Sequence, residues 1–277
     1  MSKGTLLVSP HADDTVMQAF GMLRKNVLPG PLYLVTVFAR SNYMVIERRI
    51  FMQGRTIPKL LPRPNELISA LRKNRGHFGG SRVKLLARLL DLEEIYKVSR
   101  IRLSEDIAFA KSIGAKIKYF DLPDCKVRYG EAIMDPDWPL LPDEPLSTTL
   151  TSLLERVIKE TGVANVVSPW PYGGRQHLDH RLVFRAANQV AHELNKGLYY
   201  VDDQPYSRRP LDVARDDFGR VCSPVLVKLS ILDMKGKYEA MNIYGSQMID
   251  QYFAAVRSAL PGSSTEGYSE TLWTTLP

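Results

Sequence analysis

Short, unbroken apolar runs recur along this chain, and most are followed by stretches whose apolar positions repeat every three or four residues. The runs Thr5–Ser9, Leu32–Phe38, Ile117–Phe120, Val163–Ser168, Leu198–Val201 and Val225–Leu229 predict strands. None alternates cleanly between apolar and polar, which is the pattern of strands covered on both faces. Helical spacing predicts helices over Thr15–Lys25, Ser104–Ile113, Ser147–Glu160, Asp179–Leu194 and Lys237–Tyr244. Ser104, followed by Glu105 and Asp106, reads as the N-cap of the second of these, with acids in its first turn. Strand–helix alternation of this kind argues for an α/β fold whose sheet is mostly parallel with helices on both faces. A chain of 277 residues buries a full core without disulfides or structural metal, so a single domain spanning 1–277 is expected.

The alternation breaks between residues 47 and 98. This stretch holds Pro58, Pro62 and Pro64, a glycine-bearing loop from Asn74 to Gly80, and a basic helical segment Ser81–Leu90. It reads as an insertion between the second strand and the Ser104 helix. Twelve Lys/Arg stand against five Asp/Glu here, an excess of seven that equals the net charge of the whole chain. The remainder is near neutral, so the protein lacks the general basic character of a nucleic-acid binder, and a nucleic-acid partner is not expected. A lid or a contact within a homo-oligomer is the expected role of the insertion. No apolar run reaches the roughly 20 residues of a membrane span. Thr5–Val8 is too short for the apolar core of a signal peptide. Cys125 and Cys222 stand apart without a CxxC pattern and are expected as reduced thiols, which fits a cytoplasmic protein.

Chemistry concentrates at the ends of two predicted strands. His11, Asp13 and Asp14 follow the first strand; His177, Asp179 and His180 follow the fourth, across the loop PWPYGGRQ. In open α/β sheets ligands bind at the carboxyl ends of the strands, so three of the five histidines are expected to meet aspartates at one rim. Imidazole nitrogens with a carboxylate suit zinc, and a catalytic zinc keeps three protein ligands and one open position. At i, i+3 spacing His11 and Asp14 reach one ion, and His180 completes the set. Asp13 is then left as a general base for a water activated by the metal, with one Zn2+ expected per chain. His177 would donate a proton to a leaving amine or stabilise an oxyanion, and Asp179 would take part by orienting an imidazole from behind.

The segment PHADDTVMQAFG resembles the Pro-His-x-Asp-Asp motif of the PIG-L/LmbE-like zinc N-deacetylases, and HLDH resembles their His-x-Asp-His. VTVFARS, RLSEDIAFAKSIG, LPDCKVRYG, DDQPY and KYEAMNIYGSQM are similar to further family segments, so the likeness covers nearly the whole chain. The resemblance implies a Rossmann-like sheet with a metal site at the carboxyl ends of its strands. It maps His11, Asp14 and His180 onto zinc ligands, Asp13 onto the base, and His177 onto the general acid or oxyanion partner. It also implies hydrolysis of an N-acetyl or other N-acyl group on an amino sugar, such as N-acetylglucosamine, or on a glycosylated metabolite. The chain departs from the family pattern at Thr15, where a Glu is usual, at Phe20-Gly21, where Gly-Gly is usual, and at Arg175, where some relatives carry Tyr.

Arg102, Asp124, Arg128, Trp170 and Arg175 are the candidates for substrate contact. Each has a plainer alternative: a surface helix charge for Arg102, a turn for Asp124 and Arg128, packing for Trp170 and Tyr172, a solvated loop for Arg175. Asp202 and Asp203 read equally as loop caps or sugar contacts. A metallo-β-lactamase-like His-x-His-x-Asp-His is excluded because Arg175 stands at its first histidine. A dinucleotide enzyme is excluded because SPHADD lacks the glycines that follow its first strand. The remaining alternative is a catalytically degenerate deacetylase scaffold that binds an anionic partner through the basic insertion.

Overall fold

The six predicted strands all form. In the computed structural model, which describes residues 4–43, 80–129, 132–135, 145–171, 176–206, 214–216, 218–248, 250–259 and 268–275, the elements run in the following order. They are β1 (Thr5–Ser9), α1 (Asp14–Arg24), β2 (Leu32–Thr36), α2 (Gly80–Ser112), β3 (Lys116–Tyr119), α3 (Cys125–Tyr129), α4 (Pro145–Thr161) and β4 (Asn165–Trp170). Then follow α5 (Leu178–Glu193), β5 (Gly197–Asp202), β6 (Ala214–Arg215), β7 (Val221–Leu229), α6 (Ile231–Met241), α7 (Asp250–Ala259) and β8 (Tyr268–Thr275). None of the described helices is long and apolar enough to cross a membrane.

The sheet order is β3-β2-β1-β4-β5-β8-β7-β6. From β3 to β5 all neighbours are parallel, and β8, β7 and β6 extend the sheet antiparallel. The chain moves outward on one side of β1 through β2 and β3, then returns to lay β4 on its other side. β1 and β4 are therefore neighbours, with Leu7 opposite Val167, and the connections leaving their carboxyl ends diverge over a crevice. Successive residues of the buried strands feed opposite faces. Leu6, Val8, Val166 and Tyr200 enter a core under α4 and α5, whereas Leu7, Val167 and Val201 enter a second core with α1 and α6.

Two helical expectations change. The helix expected to start at Ser104 is the last part of a single helix that begins at Gly80, and Ser104 caps nothing: its Oγ donates to the Ile101 carbonyl at 2.7 Å. Residues 81–112 contain neither glycine nor proline, so nothing interrupts the hydrogen-bond ladder there. The helix expected over Lys237–Tyr244 starts earlier, at Ile231. Ser230 and Asp233 form a reciprocal capping box there, and a 3-10 turn, Asn242–Tyr244, follows. The elements α3, α7, β6 and β8 were not predicted. Much of the basic insertion, residues 44–79, lies outside the described residues.

Helix α1 carries half of the candidate site and is fixed from outside. The Nζ of Lys237, fully buried, donates to the Met17 carbonyl at 2.5 Å and to Glu270 Oε1 at 2.7 Å. Glu270 in turn accepts the backbone N–H groups of Gly21, at 3.0 Å, and Met22, at 2.9 Å. A side chain at Gly21 would bring its Cβ within 2.3 Å of Leu229 Cδ2 and 3.0 Å of Glu270 Oε2, so the close approach requires glycine there. Lys237→Met would leave the Glu270 carboxylate buried without its cation. The expected cost is about 3–5 kcal/mol, read from denaturant unfolding; an unchanged midpoint would show that the pair does not anchor the helix.

Candidate metal centre

The turn after β1 builds the first half of the site. Ser9 Oγ donates to the His11 carbonyl at 2.6 Å, and Asp14 Oδ2 accepts the His11 backbone N–H at 2.7 Å, which draws the Asp14 carboxylate back over the turn. The second half is the start of α5. There His177 is the N-cap, its Nδ1 accepting the Asp179 N–H at 3.2 Å, and the helix then presents His180 one turn along.

These two turns bring three potential ligand atoms together. His11 Nδ1 lies 3.2 Å from Asp14 Oδ2 and 3.1 Å from His180 Nε2, and His180 Nε2 lies 3.3 Å from Asp14 Oδ2. All three residues are buried. The opposite nitrogen of each ring faces a carboxylate: His11 Nε2 meets Asp179 Oδ2 at 3.0 Å, and His180 Nδ1 meets Asp203 Oδ1 at 2.6 Å. Those contacts place the ring protons on His11 Nε2 and His180 Nδ1. The nitrogens that face Asp14 are left with lone pairs. Three lone-pair atoms facing one another at this distance repel unless a cation lies between them. A tetrahedral ion with ligands at about 2.0–2.1 Å spaces neighbouring ligand atoms by roughly 3.3 Å, so the arrangement fits a metal ion. The ring nitrogens of His11, His177 and His180 also lie within 4.8 Å of one another.

Where no metal ion lies between them, a proton on His11 Nδ1, donated to Asp14, takes the cation's place. Burial works against charge on His11, but its hydrogen bonds to Asp14 and Asp179 prevail and push the imidazole up to about 10. Burial pushes Asp14 up, yet His180 and His11 hold its carboxyl well below the ordinary range. A positive charge is demanded at this point. His177 behaves oppositely: burial, followed by repulsion from His180 and His11, lowers it to about 2. Asp13 is raised, chiefly by burial and against the pull of Arg102.

An open pocket is bordered by His11, Asp13, Arg102, Asp124, Cys125 and His177, and also by Tyr43, Tyr206 and Tyr252. Asp13 makes no capping bond to α1, and its Oδ1 lies 3.5 Å from Arg102 Nη2. Arg102 is itself held by Ser41 Oγ at 2.6 Å. Asp124 reaches the pocket wall while its Oδ1 accepts the Val127 N–H at 2.8 Å, so it also caps α3. Tyr206 packs against the ligand turn, its ring centroid 5.5 Å from that of His180.

Other expected site residues serve differently. Trp170 is a correction: it is 1% exposed and packed against Tyr200, Trp273 and Phe184, because it points into the core from β4 and has no surface to offer a sugar. Arg128, expected at the substrate, donates to Asp179 and lies over Phe38 and Tyr129, so its described contacts serve the carboxylate behind His11. Asp179 is fully buried and accepts from His11 Nε2, Arg128 and the Cys125 N–H, the last at 2.9 Å. It thus holds the His11 ring from behind and is absent from the pocket lining among the described residues. Arg175 and Tyr172 lie outside the described residues. The sequence reading left Asp203 open between loop cap and sugar contact; it is the carboxylate behind His180. The available signal was its place at the carboxyl end of β5, on the same rim as the two motifs. Both cysteines are buried, and neither is in a disulfide.

Comparison with known proteins agrees with this picture. Residues 6–191 match the family described as PIG-L, GlcNAc-PI de-N-acetylase. A 2'-N-acetylparomamine deacetylase of Streptomyces fradiae is 26% identical over 257 residues, covering 89% of this chain and 74% of the relative. A deacetylase triple mutant from the teicoplanin biosynthetic pathway superposes with a TM-score of 0.62 at 18% identity, covering 99% of this chain and 98% of the other. The N,N'-diacetylchitobiose deacetylase of Pyrococcus horikoshii superposes with a TM-score of 0.57 at 15% identity, covering 100% and 84%. At those identities the two structures attest the fold.

The cap bond to Nδ1 and the lowered basicity of His177 together fix its expected state. In the metal-free protein at about pH 6, nitrogen–proton correlation spectra should show a neutral ring protonated at Nε2. A doubly protonated His177 ring at that pH would overturn the assignment.

Proposed function

The chain belongs to the PIG-L (GlcNAc-PI de-N-acetylase) family, and from that premise and the geometry of its site we propose that it is a zinc-dependent hydrolase of N-acylated amino sugars. The observation that carries this reading is the triangle of His11 Nδ1, Asp14 Oδ2 and His180 Nε2, with a carboxylate behind each ring and Asp13 beside it on the pocket wall. Relatives that act on N-acetylated paromamine and chitobiose support an amino sugar as the substrate.

His11, Asp14 and His180 would hold the zinc, which when bound polarises the acyl carbonyl and activates water. Asp13 takes the proton of the attacking water, a role served by the burial that raises its proton affinity against the pull of Arg102. His177 acts from the other side. Because its Nδ1 already accepts the Asp179 N–H, the ring offers Nε2–H as a neutral hydrogen-bond donor to the oxygen that becomes negative as the carbonyl is attacked. Protonating the ring would break the cap bond. The proton gathered by Asp13 is therefore the one delivered to the departing amine, as the C–N bond breaks to give acetate and a free amino sugar. Arg102 steadies Asp13 and borders the space where the sugar would sit.

The test begins with metal content in protein purified without chelator or histidine tag, followed by acetate release from 2'-N-acetylparomamine and N,N'-diacetylchitobiose. About one zinc per chain with turnover supports the reading; no zinc even after incubation sinks it. Asp13→Asn should retain zinc and lose about 10²–10⁴-fold in kcat. His180→Ala should lose zinc itself, and unchanged zinc content in that variant would remove His180 from the ligand set.

A further inference from the structure

Gln18 lies one helical turn after Asp14 on α1, at i, i+4, so both side chains leave the same face of the helix. It is 3% exposed and does not border the pocket. Its Nε2 donates to Asp203 Oδ1 at 2.9 Å, and that same oxygen receives His180 Nδ1 at 2.6 Å. Asp203 is fully buried, and its Oδ2 meets no donor among the described residues, so both side-chain ties of this carboxylate run through one oxygen. A carboxylate tied by one hydrogen bond swings about its Cβ–Cγ bond; a second donor from another direction fixes its plane.

On the zinc reading above, we propose that Gln18 is a positioning residue of the metal centre, holding Asp203 in the orientation in which Asp203 aims the His180 ring. The chemistry of the amide suits the place. It donates a hydrogen bond without adding a cation that would compete with a metal ion, and a carboxylate there would repel Asp203. The arrangement also links three elements. The helix that supplies Asp14 as a ligand sets, through Gln18, the orientation of a ring on α5 by way of a carboxylate that follows β5. Residues behind metal-binding histidines change metal affinity when altered, by about 10–100-fold for a direct partner.

The experiment measures zinc affinity by competition with a chelator in the full-length protein, for wild type, Gln18→Met, Asp203→Asn and the double variant. Methionine preserves the length of the side chain and removes the donor. Gln18→Met should still bind one zinc but about tenfold more weakly, with an altered visible spectrum after cobalt substitution. The double variant should bind zinc no more weakly than Asp203→Asn alone, because Gln18 acts through Asp203. Affinity within twofold of wild type in Gln18→Met, or additive losses in the double variant, would overturn the proposal. If Gln18→Met does not fold, Gln18→Leu carries the same comparison with the donor again removed. A wild-type protein that takes up no zinc would instead bring down the reading on which this inference rests.

Discussion

Two imidazole nitrogens and a carboxylate oxygen face one another at 3.1–3.3 Å in a buried corner of the fold, each with a lone pair toward the others. Left alone, such atoms would separate or take up protons. Asp179 and Asp203 prevent the first by holding the far nitrogens of His11 and His180. These carboxylates are themselves costly to bury and are satisfied in turn: Asp179 by Arg128 and the Cys125 N–H, Asp203 by Gln18. The polar contacts behind the two rings radiate outward from that one unfavourable meeting of lone pairs. The demand for a cation at its centre is built in by geometry.

Holding the turns together falls to the sheet. His11 and His180 are separated by 169 residues, and they meet because β4 returns to the side of β1 opposite β2. Position along the strands is fixed by register, position across them by the helices. α1 is the sensitive element, since it must present Asp14 without drifting along its own axis. The Lys237–Glu270 pair grips it through backbone groups at Met17, Gly21 and Met22, below the site and independently of it. A grip on the backbone leaves the outward-facing side chains free to be chosen for chemistry.

Much of this was legible before the structure. Two continuous apolar runs, each followed by a His/Asp motif, placed both motifs on one rim, because buried parallel strands share one carboxyl edge; that the two strands are neighbours came only with the sheet order. What escaped was set by contacts between distant residues. Asp203 belongs to a short polar turn whose partner is a ring on another helix, and nothing local distinguishes it from a cap. Arg128 reads as a sugar contact until Asp179 is seen beside it. Trp170 reads as a stacking platform near a loop, but the strand carries it inward to Tyr200 and Trp273. Ser104 carries every local mark of a helix start, yet the helix reaches it already formed.

The adjacent aspartates show how one turn yields two kinds of carboxyl. Asp13 stands at the N-cap and Asp14 is the first helical residue, so their side chains leave the backbone in different directions. Asp14 turns inward, where two imidazoles hold it ionised against its burial. Asp13 turns to the pocket, where burial raises it and Arg102, at 3.5 Å, draws it partly back. Neighbouring titratable groups driven apart by their surroundings are how a site separates the residue that binds from the residue that moves a proton. In this chain the separation depends on the chain entering a helix between residues 13 and 14. A one-residue shift of that helix start would take both carboxylates out of these positions, so the backbone at this junction is constrained along with the side chains.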